Sequence, residues 1–277
     1  MARYSAEQSR SSYTVFGFSM CNAVIVYLFI ISSLLAGAQS SRPLIDVYDG
    51  FEGPVLSNLW ATESLVPSSV SIESSIVRAG RSALRIDLHP NDVFWRGVGD
   101  DADSERDELR EARPLTTREN RLYEFSWSMY LPKDFPIVPV RLVVAQWLEY
   151  CPHPDSPCFN NSPVLAVRYI NGVLRITQDL NHRFIVLYEK KRNLRGKWLD
   201  LRFQVRLTPA TNGIARAWLD GKQVVDYSGI TANTSGDATG YPVPGYFPFK
   251  MGLYRNVMPQ PMTIYLDEYR KREIPDN

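Results

Sequence analysis

The chain has 277 residues, 44% of them hydrophobic and 22% charged, with a formal net charge of +1. This is the composition of an ordinary globular protein and excludes a disordered chain. A charge so close to zero also excludes a global field able to gather a polyanion such as nucleic acid, so an acidic ligand would have to meet cations collected locally in a cleft.

Residues 1–38 stand apart. A weakly basic start (Arg3 and Arg10 against Glu7) precedes an apolar run from about Val15 to Leu35, and small residues follow at Ala36–Ala38. That order predicts a secretory signal peptide cleaved near Ala38, leaving residues 39–277 as one secreted or periplasmic domain. The alternative is an uncleaved membrane anchor, because the run is nearly long enough to span a bilayer; Ser19 and Asn22 within it argue against that. With Cys21 in the leader, Cys151 and Cys158 of "CPHPDSPC" remain. In an oxidising compartment they predict a local disulfide ahead of a metal site.

After the leader no long helical period appears. Short alternating runs follow one another instead: Ser82–His89, Arg121–Pro132, Arg141–Glu149, Pro163–Ile170, Gly172–Thr177, Lys197–Thr208, Gly213–Gly221 and Met262–Arg270. Asn171-Gly172 and Asp220-Gly221 mark hairpin turns, where glycine accepts positive φ cheaply. In the clearest run, Leu199, Leu201, Phe203, Val205 and Leu207 take one face while Trp198, Asp200, Arg202, Gln204 and Arg206 take the other. Many strands at regular spacing predict an all-β, two-sheet β-sandwich of the jelly-roll, concanavalin A-like kind. A chain of this length has surface enough for one such core and no second domain.

Three stretches carry unusual polarity. In "SERDELRE" (Ser104–Glu111), Arg106, Glu108 and Arg110 occupy alternate positions, which on a strand makes a charged row on one face. A solvated sheet surface with cross-strand ion pairs is the plain explanation of such a row. In "VVAQWL", Gln146 shares a face with Val144 and Leu148 and must find hydrogen bonds. In "YFPFKMGLYRN" (Tyr246–Asn256), Lys250, Gly252 and Tyr254 fall together, opposite Met251 and Leu253.

Taken in order, "RDELR", "AQW" and "FKMGLYR" resemble the signature strands of polysaccharide lyases of the heparin lyase I and glucuronan lyase type, which are related to the alginate lyase jelly rolls. The likeness extends over "SMYLPKDFP", "LAVRYINGVLRI", "GKWLDLRFQVRLT", "AWLDGKQVV" and "IYLDEYR", from about Leu84 to Arg270. It implies an enzyme that cleaves an acidic, uronic-acid-containing polysaccharide by β-elimination. Arg106 or Arg110 with Gln146 would neutralise the uronate carboxylate, as donors aimed at charge that grows in the transition state. Glu108 would orient the arginines. Tyr254 would be the base, its phenolate favoured by Lys250 and an arginine, and would return the proton to the leaving oxygen in a syn elimination. Glu108, Arg255, Trp147 and Arg202 are the candidates for holding substrate. Relatives commonly carry histidine two residues after the glutamine, where this chain has Leu148; His89 and His153 are the substitutes, ahead of His182. The resemblance implies no organic cofactor, a monomer, and no membrane contact unless the leader is retained.

Other features have plainer readings. "GDDADSE" (Gly99–Glu105) lacks EF-hand spacing and reads as a solvated acidic loop, so structural Ca2+ is not supported. "EKKRNLRGK" (Glu189–Lys197) reads as a charged turn, or as a rim that would help to hold a polyuronate. Trp95, Trp127, Trp147, Trp198 and Tyr188 stack on sugars or fill the core, with core the default. Two rival functions remain. A glycoside hydrolase needs two carboxyls at close spacing, but Glu105 and Asp107 lead only to Leu109 on their face, and Glu108 is flanked by arginines. A non-catalytic sugar-binding module or lectin suits the fold and the missing histidine but does not need an Arg, Gln, Lys and Tyr set.

Overall fold

The computed structural model describes residues 43–93, 103–150, 163–180, 183–233 and 245–275. The expected leader, Trp95, Cys151, His153, Cys158 and His182 lie outside the described residues. In chain order the strands are β1 (Asp46–Asp49), β2 (Trp60–Ser64), β3 (Val70–Glu73), β4 (Ala83–Leu88), β5 (Ser104–Glu111), β6 (Thr117–Arg118), β7 (Leu122–Tyr130), β8 (Leu142–Leu148) and β9 (Pro163–Ile170). They continue with β10 (Val173–Leu180), β11 (Arg183–Lys191), β12 (Trp198–Arg206), β13 (Gly213–Leu219), β14 (Lys222–Gly229), β15 (Tyr246–Phe247), β16 (Phe249–Asn256) and β17 (Met262–Ile274). Two single-turn 3-10 helices, Pro67–Ser69 and Arg113–Leu115, are the only helical elements among the described residues, and no helix there is long and apolar enough to cross a membrane.

Two antiparallel sheets carry the fold, as the strand spacing predicts. The back sheet runs β14-β13-β12-β7-β17-β4-β3, with β1 added to the end of β17; the front sheet runs β11-β10-β9-β8-β16-β5-β2. A small third ribbon pairs β15 with β6. The hairpins close as their turn residues require: Asn171 and Gly172 have φ 51° and 76°, Asp220 and Gly221 48° and 77°, the positive pair that matches the strand twist. The charged stretch Glu189–Lys197 is not all turn. Glu189, Lys190 and Lys191 complete β11, where Arg175 of β10 pairs with Glu189 across the strands.

The inner faces of the two sheets meet in one apolar layer. At its centre Trp127, Phe125 and Phe203 from the back sheet lock against Trp147 and Phe249 from the front, with ring centroids 4.8–6.3 Å apart. Offset and edge contacts of this kind add to the burial of large rings, and truncating one such ring costs about 3–5 kcal/mol.

Ionic groups are also built into this interior. Lys271 of the back sheet reaches across to Glu111 of the front at 2.9 Å, hydrogen-bonds the Thr117 hydroxyl and lies over the Tyr123 and Phe125 rings. Glu105 is held by Arg255 at 2.7 Å. Such pairs hold register more than they add stability, because desolvation consumes most of the Coulomb gain.

Asp107 has no cation assigned to it, and burial pushes its carboxyl up to about 7, against the opposing hydroxyls of Ser64 and Ser69 and with help from nearby Asp92. The folded state therefore holds this proton over a pH range in which the unfolded chain releases it. Stability from this group is full below about pH 4 and is lost as the pH rises to about 7. Asp107→Asn is expected to raise the melting temperature at pH 8 by a few degrees, corresponding to about 1 kcal/mol or more, and to change it little at pH 4. Thermal unfolding of both proteins across that range measures the difference.

Candidate active site

The outward face of the front sheet is built by the period of two. In β5, Leu109 enters the core, so Arg106, Glu108 and Arg110 point away from it. Antiparallel register sets Tyr254, Gly252 and Lys250 of β16 directly beside Arg106, Glu108 and Arg110. On the far side of β16, Gln146 of β8 lies opposite Lys250; on the far side of β5, Glu63 of β2 lies opposite Glu108. Six residues singled out in the sequence thus share one face: Arg106, Glu108, Arg110, Gln146, Lys250 and Tyr254.

The row is not a solvated surface. Glu108 is fully buried, Lys250 is 1% exposed and Gln146 3%. Glu63 is the hub. Its carboxylate accepts from Lys250 Nζ at 2.9 Å and lies 3.3 Å from Arg106 Nη1 and 3.0 Å from Arg110 Nε. Glu108 accepts from Gln146 Nε2 at 2.6 Å and sits 3.4 Å from Arg106 Nε. The lone polar group of β8 therefore has the partner that its burial demands.

Gly252 lies between Lys250 and Tyr254 in β16. Its φ is +140°, and a Cβ there would lie 2.5 Å from the Asp107 carbonyl oxygen and 2.8 Å from Glu108 Cα. A third contact, 3.2 Å to Cδ1 of the core residue Ile86, closes the space, so only glycine fits this backbone position.

Tyr254 lies between two guanidiniums, with Arg106 Cζ and Arg141 Cζ each 4.2 Å from its ring centroid. Arg141 Nη1 donates to the phenol oxygen at 2.9 Å, and its other nitrogens are fixed by Asn256 Oδ1 at 2.7 Å and Ser104 Oγ at 2.6 Å. Arg168 of β9 stands next along, opposite Val143, with its Nε on the Thr177 hydroxyl at 3.1 Å. Burial and nearby Arg141 lower the pKa of Arg168, while Asp179 and Tyr254 oppose the shift. Five cations (Arg106, Arg110, Arg141, Arg168 and Lys250) face three carboxylates (Glu63, Glu108 and Asp179). The face is preorganised for anionic charge.

Four expected residues lie elsewhere. Arg255 and Trp147 are next in sequence to Tyr254 and Gln146, so they point inward: Arg255 is fully buried on Glu105, and Trp147 fills the aromatic core. Neither can touch substrate on the outer face. Arg202 is on the outward face of the back sheet, over the Trp218 ring at 4.0 Å. His89 follows β4 in the back sheet, and its polar contacts are with Asp92. A bulge in β8 also turns Val144 into the core, so Gln146 shares its face with Val143 rather than Val144. His153, Cys151 and Cys158 lie outside the described residues.

Sequence reading missed Glu63, Arg141 and Arg168. Arg168 had a legible signal, a single cation in the apolar strand "PVLAVRYI", the same kind of signal that marks Gln146. Among the described residues no group of three or more His, Cys, Asp or Glu side chains is placed to hold a metal ion, and Glu105 of the acidic stretch is taken by Arg255.

The two antiparallel sheets define a jelly-roll sandwich, and one of them carries a cation-rich polar face. A family model described as polysaccharide lyase matches residues 51–270, and the chain belongs to that family. It is a carbon-oxygen lyase acting on polysaccharides. Its fold is similar to that of an endo-β-1,4-glucuronan lyase from the fungus Trichoderma reesei: TM-score 0.63 at 18% identity, over 82% of this chain and 95% of that one. It is similar also to the cellulose-induced protein Cip1 (TM-score 0.53, 11% identity, 81% and 96%). Alginate lyase A1-II', a member of polysaccharide lyase family 7, matches with TM-score 0.51 at 13% identity, over 75% and 84%. No curated protein matches the chain.

The inward placement of Arg255 gives a direct test. Arg255→Met leaves Glu105 buried without its partner and is expected to cost about 3–5 kcal/mol in a denaturant titration, with the KM of the remaining folded enzyme unchanged. A substrate-binding arginine would show the reverse pattern.

Proposed function

We propose that this enzyme cleaves a uronic-acid polysaccharide by β-elimination on the outward face of its front sheet, without an organic cofactor. One observation carries the reading: the phenol of Tyr254 lies between two guanidiniums and accepts a hydrogen bond from Arg141. A phenol held by cations on the outward face is positioned to exchange a proton with a substrate bound there.

The uronate carboxylate is met by Arg110, the more exposed cation of the row, with Gln146 and Lys250 behind it on the same face. Tyr254 removes the proton from C5. The electrons of that C–H bond form the C4–C5 double bond as the C4–O bond breaks, and the leaving oxygen takes a proton from the same Tyr in a syn elimination. Glu63 and Glu108 hold the cations in place and do not donate protons. A carboxyl clamped by a lysine and two arginines is poorly suited to act as the acid of a hydrolase. Arg141 and Arg168 supply the cationic environment that histidine gives relatives in which it follows the glutamine.

Within the family we assign the chain to the glucuronan lyase and heparin lyase I type. In the same reading, residues 1–38 are a cleaved leader, residues 39–277 form an exported monomer, and Cys151 and Cys158 form a disulfide. The fold neighbour that acts on β-1,4-glucuronan makes that polymer the first to try.

The purified protein incubated with glucuronan, alginate, heparin, hyaluronan, pectate and a neutral β-glucan is expected to raise near-ultraviolet absorbance, from the unsaturated product, with a uronate only. Reducing ends released from the glucan without that absorbance would replace the lyase reading with a hydrolase, and binding without cleavage would leave a lectin. Tyr254→Phe should lower kcat at least about 1,000-fold with polymer binding kept. Arg141→Ala, which removes one donor from the phenol oxygen, should lower kcat about 100- to 1,000-fold with little change in KM.

A further inference from the structure

The outward face of the back sheet carries a second constellation that the proposed elimination does not use. Ser126 and Ser128 of β7, Asp200 and Arg202 of β12 and Trp218 of β13 stand side by side in register. With Arg78 and Glu268 they line a recess of about 490 Å3, within the size range of small-ligand sites.

Its polar wall is fixed in advance. Arg78 grips Asp200 through two hydrogen bonds of 3.0 and 2.8 Å, and Ser128 Oγ donates to the same carboxylate at 2.7 Å. Glu268 sits at φ +56° where β17 bulges, its backbone N–H on the Asp267 carboxylate and its own carboxylate accepting from Tyr48 Oη. A non-glycine residue held at positive φ is an uncommon conformation that its surroundings must impose, and it turns Glu268 toward the recess. The other wall is the Trp218 ring, with the Arg202 guanidinium 4.0 Å from its centroid and the Arg202 side chain 44% exposed.

We propose that this recess is a second, non-catalytic binding site for a saccharide chain, on the face of the sandwich opposite the catalytic one. A sugar ring has an apolar C–H face and a rim of hydroxyls. Trp218, with the Arg202 guanidinium lying over its ring, offers the first a flat surface, and Asp200, Glu268, Arg78 and the two serines offer the second paired donors and acceptors. Both guanidiniums already have carboxylate partners, Arg78 on Asp200 and Arg202 3.6 Å from Glu124, so this site reads hydroxyls where the proposed catalytic face reads carboxylates. The inference rests on the reading that the enzyme handles a polymer long enough to reach both faces or to be held by either. A second contact on the same polymer raises the effective concentration of chain at the enzyme.

The test uses the full chain carrying Tyr254→Phe, titrated calorimetrically with short β-1,4-glucuronan fragments and with cello-oligosaccharides as the neutral probe. Two sites per chain are expected, falling to one when Trp218→Ala is added; Arg202→Glu, which keeps the indole, should weaken the second site about tenfold. In the otherwise wild-type enzyme, Trp218→Ala should raise KM for long polymer about three- to tenfold and leave kcat on short fragments unchanged. If the wild type cleaves a uronate but Tyr254→Phe binds at one site whatever stands at 218 and 202, the second site is overturned and the lyase reading stands. If no uronate is cleaved but Trp218→Ala and Arg202→Glu each weaken the remaining saccharide binding, the second site stands and the lyase reading falls.

Discussion

The ion pairs on the outward face of the front sheet depend on one shared carboxylate. Glu63 holds Lys250, Arg106 and Arg110 within 3.3 Å of its two oxygens, on a sheet surface where Glu63 and Lys250 are almost completely buried. Three like charges this close would repel strongly without an anion between them. With it they can point the same way. Desolvating these groups costs several kcal/mol each before pairing, so each must find a partner on this face. This is the physical sense in which the face is a site: its charges are costly, mutually held and left with net positive character facing outward.

The sequence carried the fold almost whole, because the signals were local. Alternation placed β5 and β9 to the residue, and the Asn-Gly and Asp-Gly turns adopt the positive φ values that glycine signals. The short strands β1 to β3 are harder to read, since four or five residues give too few alternations to stand out from a loop. The site was legible wherever period two was enough. Arg106, Glu108, Arg110, Gln146, Lys250 and Tyr254 converge because alternate residues of neighbouring antiparallel strands share a face. The misplacements of Arg255 and Trp147 run against that same rule, since a residue adjacent to Tyr254 or Gln146 has to point the other way. Arg202 was on a correctly recognised wet face, but nothing local says to which sheet a strand belongs. Glu63 and Arg141 join the site only through pairing between distant segments.

The molecule keeps its two ionic systems on opposite sides of one sheet. Outside, the ion pairs organise a face for an incoming anion. Inside, Lys271 with Glu111 ties the two sheets together beside the aromatic core, and Arg255 with Glu105 ties β16 to β5 within the front sheet. Asp107, between those two interior pairs along β5, has no cation placed on it among the described residues, and burial pushes its carboxyl up to about 7. Neighbouring carboxyls on one strand thus meet burial in two different ways, by pairing and by neutralisation.

That division of β5 bears on how its alignment is secured. A slip of one residue against β16 would carry Arg106, Glu108 and Arg110 between the sheets and turn Glu105, Asp107 and Glu111 outward, stranding Arg255 and Lys271 in the apolar layer. An ordinary amphipathic strand that slips loses hydrophobic contacts. This one would also leave unmatched ions in the interior, so incorrect registers are rejected by electrostatics as well as by packing. The strand with the charged outer row is proofread by its own hidden side.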